Sequence, residues 1–218
     1  MGNRPMLQLP HLYPIADTET LERRGIGLCA AAAAWLEGGA QILQIRHKSH
    51  WNREVFESAR QVARLCREAG VALIVDDRAD FAMLLQAGLH VGQDDLAPRE
   101  ARKLIGPDPP LGFSSHNVQQ LCAAGGEPVD YVALGPVFST SSKRNPDPVI
   151  GVAEIRRCRA VLEKPLVAIG GITRENAVEV LRAGADSLAV ISDLVPEAAT
   201  AKSLRERMEE WQRILITV

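Results

Sequence analysis

Residues 75–95 read VDDRADFAMLLQAGLHVGQDD and join two predicted strands through a short helical segment. The apolar run 72–75 leads into this stretch and predicts a buried strand that ends at the aspartates 76–77. Residues 89–91 (LHV) predict the next short strand, which ends in GQDD at 92–95. Carboxylates are therefore expected at the ends of two consecutive strands.

The same alternation of strand-like and helical segments continues along the chain. Eight of each predict an α/β fold, a single (βα)8 TIM barrel with residues 1–218 in one domain. A doubly wound open sheet is the alternative, but no GxGxxG turn follows the first strand. The predicted strands are 12–16, 41–48, 72–75, 89–91, 111–115, 131–138, 165–169 and 187–191. The predicted helices are 27–39, 51–70, a short segment containing Phe81, Leu84 and Leu85, 97–106, 117–124, 151–162, 173–184 and 198–216.

Composition narrows the class of partner. A net charge of −2 and 4% aromatic residues suggest neither a nucleic-acid groove nor a membrane-surface helix, so we expect small-molecule substrates. No apolar run is long enough to span a bilayer, and the first residues lack the apolar segment of a signal peptide. The four cysteines form no CxxC pair, which favours reduced thiols and a cytoplasmic protein. Apolar faces on the outer helices could be buried in a homodimer contact.

Two aspartates at the predicted strand ends suggest a metal site. In a barrel the carboxyl ends of neighbouring strands meet on the face where catalytic groups collect. Asp77 and Asp95 could then share Mg2+, which binds one or two carboxylates and keeps waters for a phosphate-bearing substrate. The alternative is that residues 76–77 and 94–95 cap the helices that follow them.

Other polar groups are expected on the same rim. Cationic side chains beside two carboxylates suit a pyrophosphate, and glycines at the ends of strands seven and eight suit a second phosphate. The basic pair Arg46 and Lys48 could instead be surface charges, and Gly170–Gly171 a tight turn. His90 is either a packed core histidine or a ligand. The rim candidates are Gln44, Arg46, Lys48, Asp76, Asp77, Gln93, Asp95, Ser114, His116, Ser139, Thr140, Ser142, Lys143, Gly170, Gly171, Ile191 and Ser192.

Seven motifs occur in order and at family-like spacing, and together they resemble the thiamine phosphate synthase family. They are QIRHK (44–48), DDRAD (76–80), HVGQDD (90–95), GFSSH (112–116), GPVFSTSSK (135–143), AIGGI (168–172) and GADSLAVIS (184–192). The resemblance implies a barrel transferase that joins hydroxymethylpyrimidine diphosphate to a thiazole phosphate and releases pyrophosphate. It also implies ionisation of the pyrimidine C–O bond before the thiazole nitrogen attacks. Loop 139–148 could then exclude water from the reactive cation by closing over the site.

The resemblance assigns roles to individual residues. It implies Mg2+ ligands at Asp77 and Asp95, and catalytic roles for Arg46, Lys48, Ser114 and Lys143. The implied pyrimidine diphosphate site is Gln44, Ile45, Arg46, His47, Lys48, Asp76, Ser114 and Lys143. The implied thiazole phosphate site is Thr140, Ser141, Ser142, Gly171, Ile191 and Ser192.

Three positions depart from the family pattern. Asp76 stands where the family usually has an asparagine, and a carboxylate there would repel a diphosphate unless it joins the metal or is protonated. Ser139 and Ser142 replace a common proline and threonine, and the LQAGLH segment is one residue short. Two alternatives remain, a thiazole tautomerase and a non-catalytic phosphate-binding homologue. The tautomerase branch tends to lose the metal carboxylates and to carry a histidine where this chain has Pro136.

Overall fold

A closed barrel of eight parallel strands forms the centre of the molecule. The computed structural model describes residues 8–140 and 147–216. Each strand pairs with the next along the chain, and β8 pairs with β1 to close the sheet. The (βα)8 fold predicted from the sequence is therefore confirmed. The strands are β1 Leu12–Asp17, β2 Ile42–Arg46, β3 Ala72–Asp76, β4 Gly88–Val91, β5 Leu111–Ser115, β6 Tyr131–Leu134, β7 Leu166–Ile169 and β8 Ser187–Val190.

Helices surround the barrel and connect successive strands. A 3-10 turn, Ser192–Leu194, follows β8. The six-residue helix α1 was not predicted. It begins at Thr18 and is capped by Asp17, whose side chain accepts a hydrogen bond from Thr20 N. The helices are α1 Thr18–Arg23, α2 Leu28–Glu37, α3 Arg53–Ala69, α4 Ala79–Leu85, α5 Pro98–Ile105, α6 Val118–Gly125, α7 Gly151–Arg159, α8 Ala177–Arg182 and α9 Ala201–Leu215.

Two apolar cores follow from the alternation of side chains along the strands. Outward-facing strand residues pack under the helices, where Trp35 and Trp211 are fully buried. Inward-facing residues fill the barrel itself and include Tyr13, Ile74 and Tyr131. Because a strand places successive side chains on opposite faces, every second residue near the carboxyl end of a strand points towards the mouth of the barrel.

Most predicted element bounds differ from the structure by one to three residues, and two differ by four. The sixth strand ends at Leu134 rather than Phe138, since Pro136 has no N–H to donate to a strand ladder. The eighth helix begins at Ala177 rather than Thr173, because a turn in which Thr173 N donates to Asn176 Oδ1 precedes it.

The amino ends of the strands form the base of the barrel, where arginine and aspartate are paired. Asp130 Oδ2 accepts hydrogen bonds from Arg102 NH2 and from the backbone N of Leu111, each at 2.7 Å. A second set repeats the pattern, with Asp186 Oδ2 accepting from Arg159 NH1 and the backbone N of Leu166, again at 2.7 Å. These bonds tie consecutive strands together at the end opposite the mouth.

No helix within the described residues is long and apolar enough to cross a membrane. That residues 1–218 form one domain remains a prediction.

Candidate active site

A cavity of about 830 Å³ opens at the mouth of the barrel, where the carboxyl ends of the strands meet. Residues from all eight strand ends and the following loops line it. Three predicted site residues, Ser141, Ser142 and Lys143, lie outside the described residues. The predicted residues that line the cavity are Gln44, Arg46, Lys48, Asp76, Asp77, Gln93, Asp95, Ser114, His116, Ser139, Thr140, Gly170, Gly171, Ile191 and Ser192.

The side chains of Ile45 and His47 do not line the cavity. Ile45 points outward from β2 and is fully buried in the core beneath the helices. His47 instead fixes the loop after β2, with Nδ1 2.7 Å from Thr18 Oγ1 and Nε2 3.2 Å from the carbonyl oxygen of His50. Strand alternation thus separates Ile45 from its neighbours Gln44 and Arg46.

An aromatic group supports the same loop. The His47 ring meets the Trp51 ring edge-on at 5.6 Å, and Trp51 stacks on Phe81 of α4 with ring centroids 4.4 Å apart. The guanidinium carbon of Arg78 lies 4.2 Å from the centroid of Phe81. The loop that follows Lys48 is therefore packed against the helix that follows Asp77.

Arg46 at the end of β2 and Lys48 in the loop after it are both engaged by carboxylates. Arg46 NH1 donates to Asp17 Oδ2 at 2.5 Å, and the Arg46 side chain is 16% exposed, which argues against a surface charge. Lys48 Nζ lies 2.7 Å from Asp76 Oδ2 and also contacts Asp77 Oδ2. Burial alone lowers the pKa of Lys48, but the two aspartates outweigh it and raise that pKa, so the ammonium stays charged.

Carboxylates crowd the opposite side of this contact. Asp76 is 7% exposed, and this burial raises its pKa although the neighbouring Lys48 opposes the shift. Its Oδ2 atom receives no well-aligned hydrogen bond from the described residues. Burial also raises the pKa of Asp95, and the neighbouring Asp77 carboxylate adds to that rise. Asp77 has a φ of 61°, a left-handed conformation that a non-glycine residue adopts at a strain.

The geometry argues against the helix-cap alternative for these aspartates. Helix α4 begins after Arg78 and helix α5 after Ala97, and neither has a side-chain cap hydrogen bond. Asp95 Oδ2 instead accepts a hydrogen bond from Gly92 N at 2.7 Å, which folds the loop after β4 back towards the mouth.

The donor set at the mouth fits a hard cation with few protein ligands. Asp77 lies close enough to Asp95 to contribute to the raised pKa of the Asp95 carboxyl group. Among the described residues no group of three or more His, Cys, Asp or Glu side chains forms a closed metal site. A pair of carboxylates with open positions is the arrangement in which Mg2+ also takes water and phosphate oxygens.

A buried hydrogen-bonded chain forms the floor of the cavity. The Tyr13 and Tyr131 hydroxyls are 2.8 Å apart, and His90 connects Tyr131 to Ser114. Burial lowers the pKa of His90 to about 4, so this imidazole is neutral. His90 faces the cavity rather than the outer core. Tyr13 and Tyr131 were not predicted as site residues, because an apolar strand pattern does not indicate which hydroxyls pair across a barrel.

Backbone conformation shapes the wall formed by β7 and β8. Gly170 and Gly171 have φ values of 101° and 62°, and a Cβ atom at Gly171 would lie 2.4 Å from the carbonyl oxygen of Ser139. Asp193 follows Ser192 and is held by Arg174 Nε at 3.0 Å and by Trp211 Nε1 at 2.9 Å. These contacts fix the loop after β8 beside the glycine turn.

Sequence comparison agrees with the composition of the mouth. Residues 12–194 match the family model described as thiamine monophosphate synthase. The thiamine-phosphate synthase of Koribacter versatilis is 45% identical over 96% of this chain and 97% of its own length. The chain belongs to the thiamine monophosphate synthase family. As a member of that family it is a transferase of thiamine biosynthesis.

Further relatives cover nearly the whole barrel. The thiamine-phosphate synthase of Chloroflexus aurantiacus is 41% identical over 89% of this chain and 90% of its own length. Among solved structures, the thiamine phosphate pyrophosphorylase of Pyrococcus furiosus superposes with a TM-score of 0.82 at 31% identity, covering 95% of this chain and 96% of that chain. The thiamine phosphate synthase resemblance predicted from seven motifs is confirmed.

Proposed function

We propose that the barrel mouth joins hydroxymethylpyrimidine diphosphate to a thiazole phosphate, giving thiamine phosphate and pyrophosphate. The observation that carries this proposal is the meeting of two carboxylates with Arg46 and Lys48 in one cavity of about 830 Å³. That volume is in the range of small-molecule sites, and it has room for a two-ring product.

Asp77 and Asp95 are the residues that would hold Mg2+ in this site. When bound, the ion neutralises charge on the diphosphate and on the departing pyrophosphate. The raised pKa of Asp95 supports this role, because a cation between the two carboxylates relieves the repulsion that the bare pair experiences.

Arg46 and Lys48 bind the diphosphate in this proposal. Both are cationic, partly buried and already held in place by aspartates, so they are oriented before substrate arrives. Lys48 exchanges its contact with Asp76 for the diphosphate, and Ser114 donates a hydrogen bond from the other side of the cavity. The charge that develops on the leaving pyrophosphate is met by groups that do not need to move far.

The wall formed by β7 and β8 binds the thiazole phosphate in the proposal. Gly171, Ile191 and Ser192 line the cavity together with Thr140, and backbone N–H groups of this glycine turn would bind the phosphate. Ser141, Ser142 and Lys143 keep the roles predicted from the family resemblance, Lys143 on the diphosphate and the two serines on the thiazole phosphate. A bulky side chain at 171 would collide with the loop after β6.

Apolar side chains exclude water from the reacting centre. Ile15, Ala133, Val167 and Ala189 line the interior of the barrel beneath the charged rim. A carbon electrophile that forms when the pyrimidine C–O bond breaks is short-lived in water, so a dry floor directs it to the thiazole nitrogen. No side chain is required as a general base for the bond-forming step.

The four free thiols support a cytoplasmic location, where cysteines stay reduced. Two small-molecule substrates are the partners proposed, and a homodimer remains a prediction.

Thiamine phosphate formation from the two substrates tests the proposal. We expect product with Mg2+, none with EDTA, and none from Asp77→Ala. Asp94→Asn is the matched control, since Asp94 also lines the cavity but has no assigned ligand role. Absence of product at every Mg2+ concentration would contradict the proposal, and binding of thiazole phosphate without turnover would then support the non-catalytic alternative.

A further inference from the structure

A continuous chain of hydrogen bonds crosses the barrel interior from β2 to β5. Gln44 Nε2 donates to the Tyr13 hydroxyl at 3.1 Å, and that hydroxyl lies 2.8 Å from the Tyr131 hydroxyl. His90 continues the chain, with Nδ1 3.1 Å from Tyr131 OH and Nε2 2.9 Å from Ser114 Oγ. Both ends of the chain, Gln44 and Ser114, line the cavity.

The interior of the barrel is built to contain this chain. The backbone of β5 has glycine at position 112, where a Cβ atom would lie 2.1 Å from Tyr131 Cζ and 2.4 Å from His90 Nδ1. The Tyr131 and His90 rings stack with centroids 5.6 Å apart and an interplanar angle of 23°. Any other side chain at 112 would displace one of these rings, so the glycine keeps the two hydrogen-bonding partners together.

The proton order along the chain follows from counting donors and acceptors. A neutral imidazole has one nitrogen that donates and one that accepts. Tyr13 OH accepts from the Gln44 amide, so its own proton goes to Tyr131 OH. The Tyr131 proton then goes to His90 Nδ1, and His90 Nε2–H donates to Ser114 Oγ. In this order the hydroxyl protons of Tyr13 and Tyr131 each have an acceptor.

The opposite order leaves a buried donor unsatisfied. If His90 Nδ1 carried the proton, Tyr131 would donate to Tyr13, which already accepts from Gln44 Nε2. The Tyr13 hydroxyl proton would then have no acceptor among the described residues, although this side chain is 1% exposed. A buried unpaired donor is strongly unfavourable.

We propose that Tyr131 and His90 are positioning residues which turn the Ser114 hydroxyl into an obligatory hydrogen-bond donor towards an anionic group in the cavity. Because Ser114 Oγ accepts from His90, its own proton is free to point at a ligand oxygen. This inference rests on the proposed function for the identity of that anion, a diphosphate. It adds two residues, acting through Ser114, to the groups that prepare the site.

The imidazole tautomer of His90 tests the proton order without any substrate. In the ¹⁵N-histidine-labelled protein we expect Nε2 to be protonated and Nδ1 to be unprotonated. The resonances are assigned by their loss in His90→Gln or by through-space contacts to the Tyr131 ring. A protonated Nδ1, or a mixture of the two tautomers, would overturn the proposal.

A double-mutant cycle tests whether Tyr131 acts through Ser114. Tyr131→Phe keeps the ring that fits against Gly112 and removes the donor to His90, whereas Ser114→Ala removes the final hydroxyl. We expect each variant to bind inorganic pyrophosphate with Mg2+ about threefold to tenfold more weakly, the effect of one hydrogen bond, measured by calorimetry. The double variant should bind no more weakly than Ser114→Ala alone, and the affinity for thiazole phosphate should not change.

Losses that add in the double variant, or an unchanged affinity in Tyr131→Phe, would refute the positioning role. A protein that makes no thiamine phosphate but has the expected tautomer and a non-additive cycle would refute the proposed function alone. The tautomer and the cycle do not depend on turnover, so the two failures are distinguishable.

Discussion

The mouth and the base of the barrel use the same residue types, basic side chains and aspartates, in opposite ways. At the base Asp130 is shared by one guanidinium and one strand N–H, and Arg102 also donates to the carbonyl oxygens of Pro109 and Gly106. At the mouth three aspartates crowd around Lys48, and burial raises the pKa of Asp76 and Asp95. The base therefore contributes stability, whereas the mouth retains a cluster of carboxylates whose charges are unfavourable in the folded protein.

Asp95→Asn should show the largest effect and separate activity from stability. We expect kcat/KM to fall by about 100-fold or more, since a carboxylate that holds the catalytic cation is lost. The melting temperature in EDTA should not fall, because the raised pKa indicates that the Asp95 charge is unfavourable in the folded state. Parallel activity assays and thermal melts check this, and a clear loss of stability would remove the contrast between the two ends.

Asp130→Ala should have the converse effect at the base. It leaves Arg102 and the Leu111 N–H without their shared acceptor, so we expect a loss of about 2 kcal/mol, or about 4–8 °C in melting temperature. Asp186→Ala should lose less, because that side chain is 47% exposed against 16% for Asp130. Activity at 25 °C should be unchanged in both, and reduced activity in a folded variant would contradict a purely structural base.

Asp76→Asn tests the charge balance of the mouth more gently. Lys48 Nζ lies 2.7 Å from Asp76 Oδ2, and a neutral amide would release the ammonium to the diphosphate. We expect the KM for pyrimidine diphosphate to fall about threefold to tenfold, with the KM for thiazole phosphate unchanged. Steady-state kinetics with each substrate varied in turn measure both values. A higher KM would mean that Asp76 is needed to hold Lys48 in place.

The pH dependence of stability should give the smallest effect. The pKa of Asp76 is raised in the folded protein, so the folded state binds this proton more tightly than the unfolded state. Relative to Asp76→Asn, the wild-type protein should therefore lose stability as the pH rises from the unfolded pKa of about 4 through the folded value. Urea unfolding in EDTA across that range measures the difference, and the opposite slope would mean that ion pairing with Lys48 outweighs burial.

Much of the barrel could be predicted from periodicity. All eight strands were located because buried parallel strands are short apolar runs, and the strand ends gave Arg46, Lys48, Asp77 and Asp95. Helix α1 was missed because six polar-rich residues carry no apolar repeat, and its start depends on a cap made by Asp17. Local sequence patterns thus predict the main strands and helices, but not short connecting segments that depend on individual side-chain hydrogen bonds.

Contacts across the barrel could not be predicted. Asp17 lies 29 positions from Arg46, and Tyr13 lies 118 positions from Tyr131, so neither pair has a spacing that indicates contact. Gly112 was part of a predicted strand, but only the structure shows that the rings of Tyr131 and His90 leave no room for a side chain there. Such pairs form only when the sheet closes into a barrel, and no local sequence pattern indicates which residues then meet.

Trp51 stacks on Phe81 beside the loop that follows Lys48, so its fluorescence should respond to changes at the mouth of the barrel. The other two tryptophans, Trp35 and Trp211, are fully buried in the core beneath the helices, and neither lines the cavity. Changes in tryptophan emission on adding pyrophosphate and Mg2+ should therefore come from Trp51, and Trp51→Phe should remove them. Ligand binding could then be followed in stopped-flow experiments without a label.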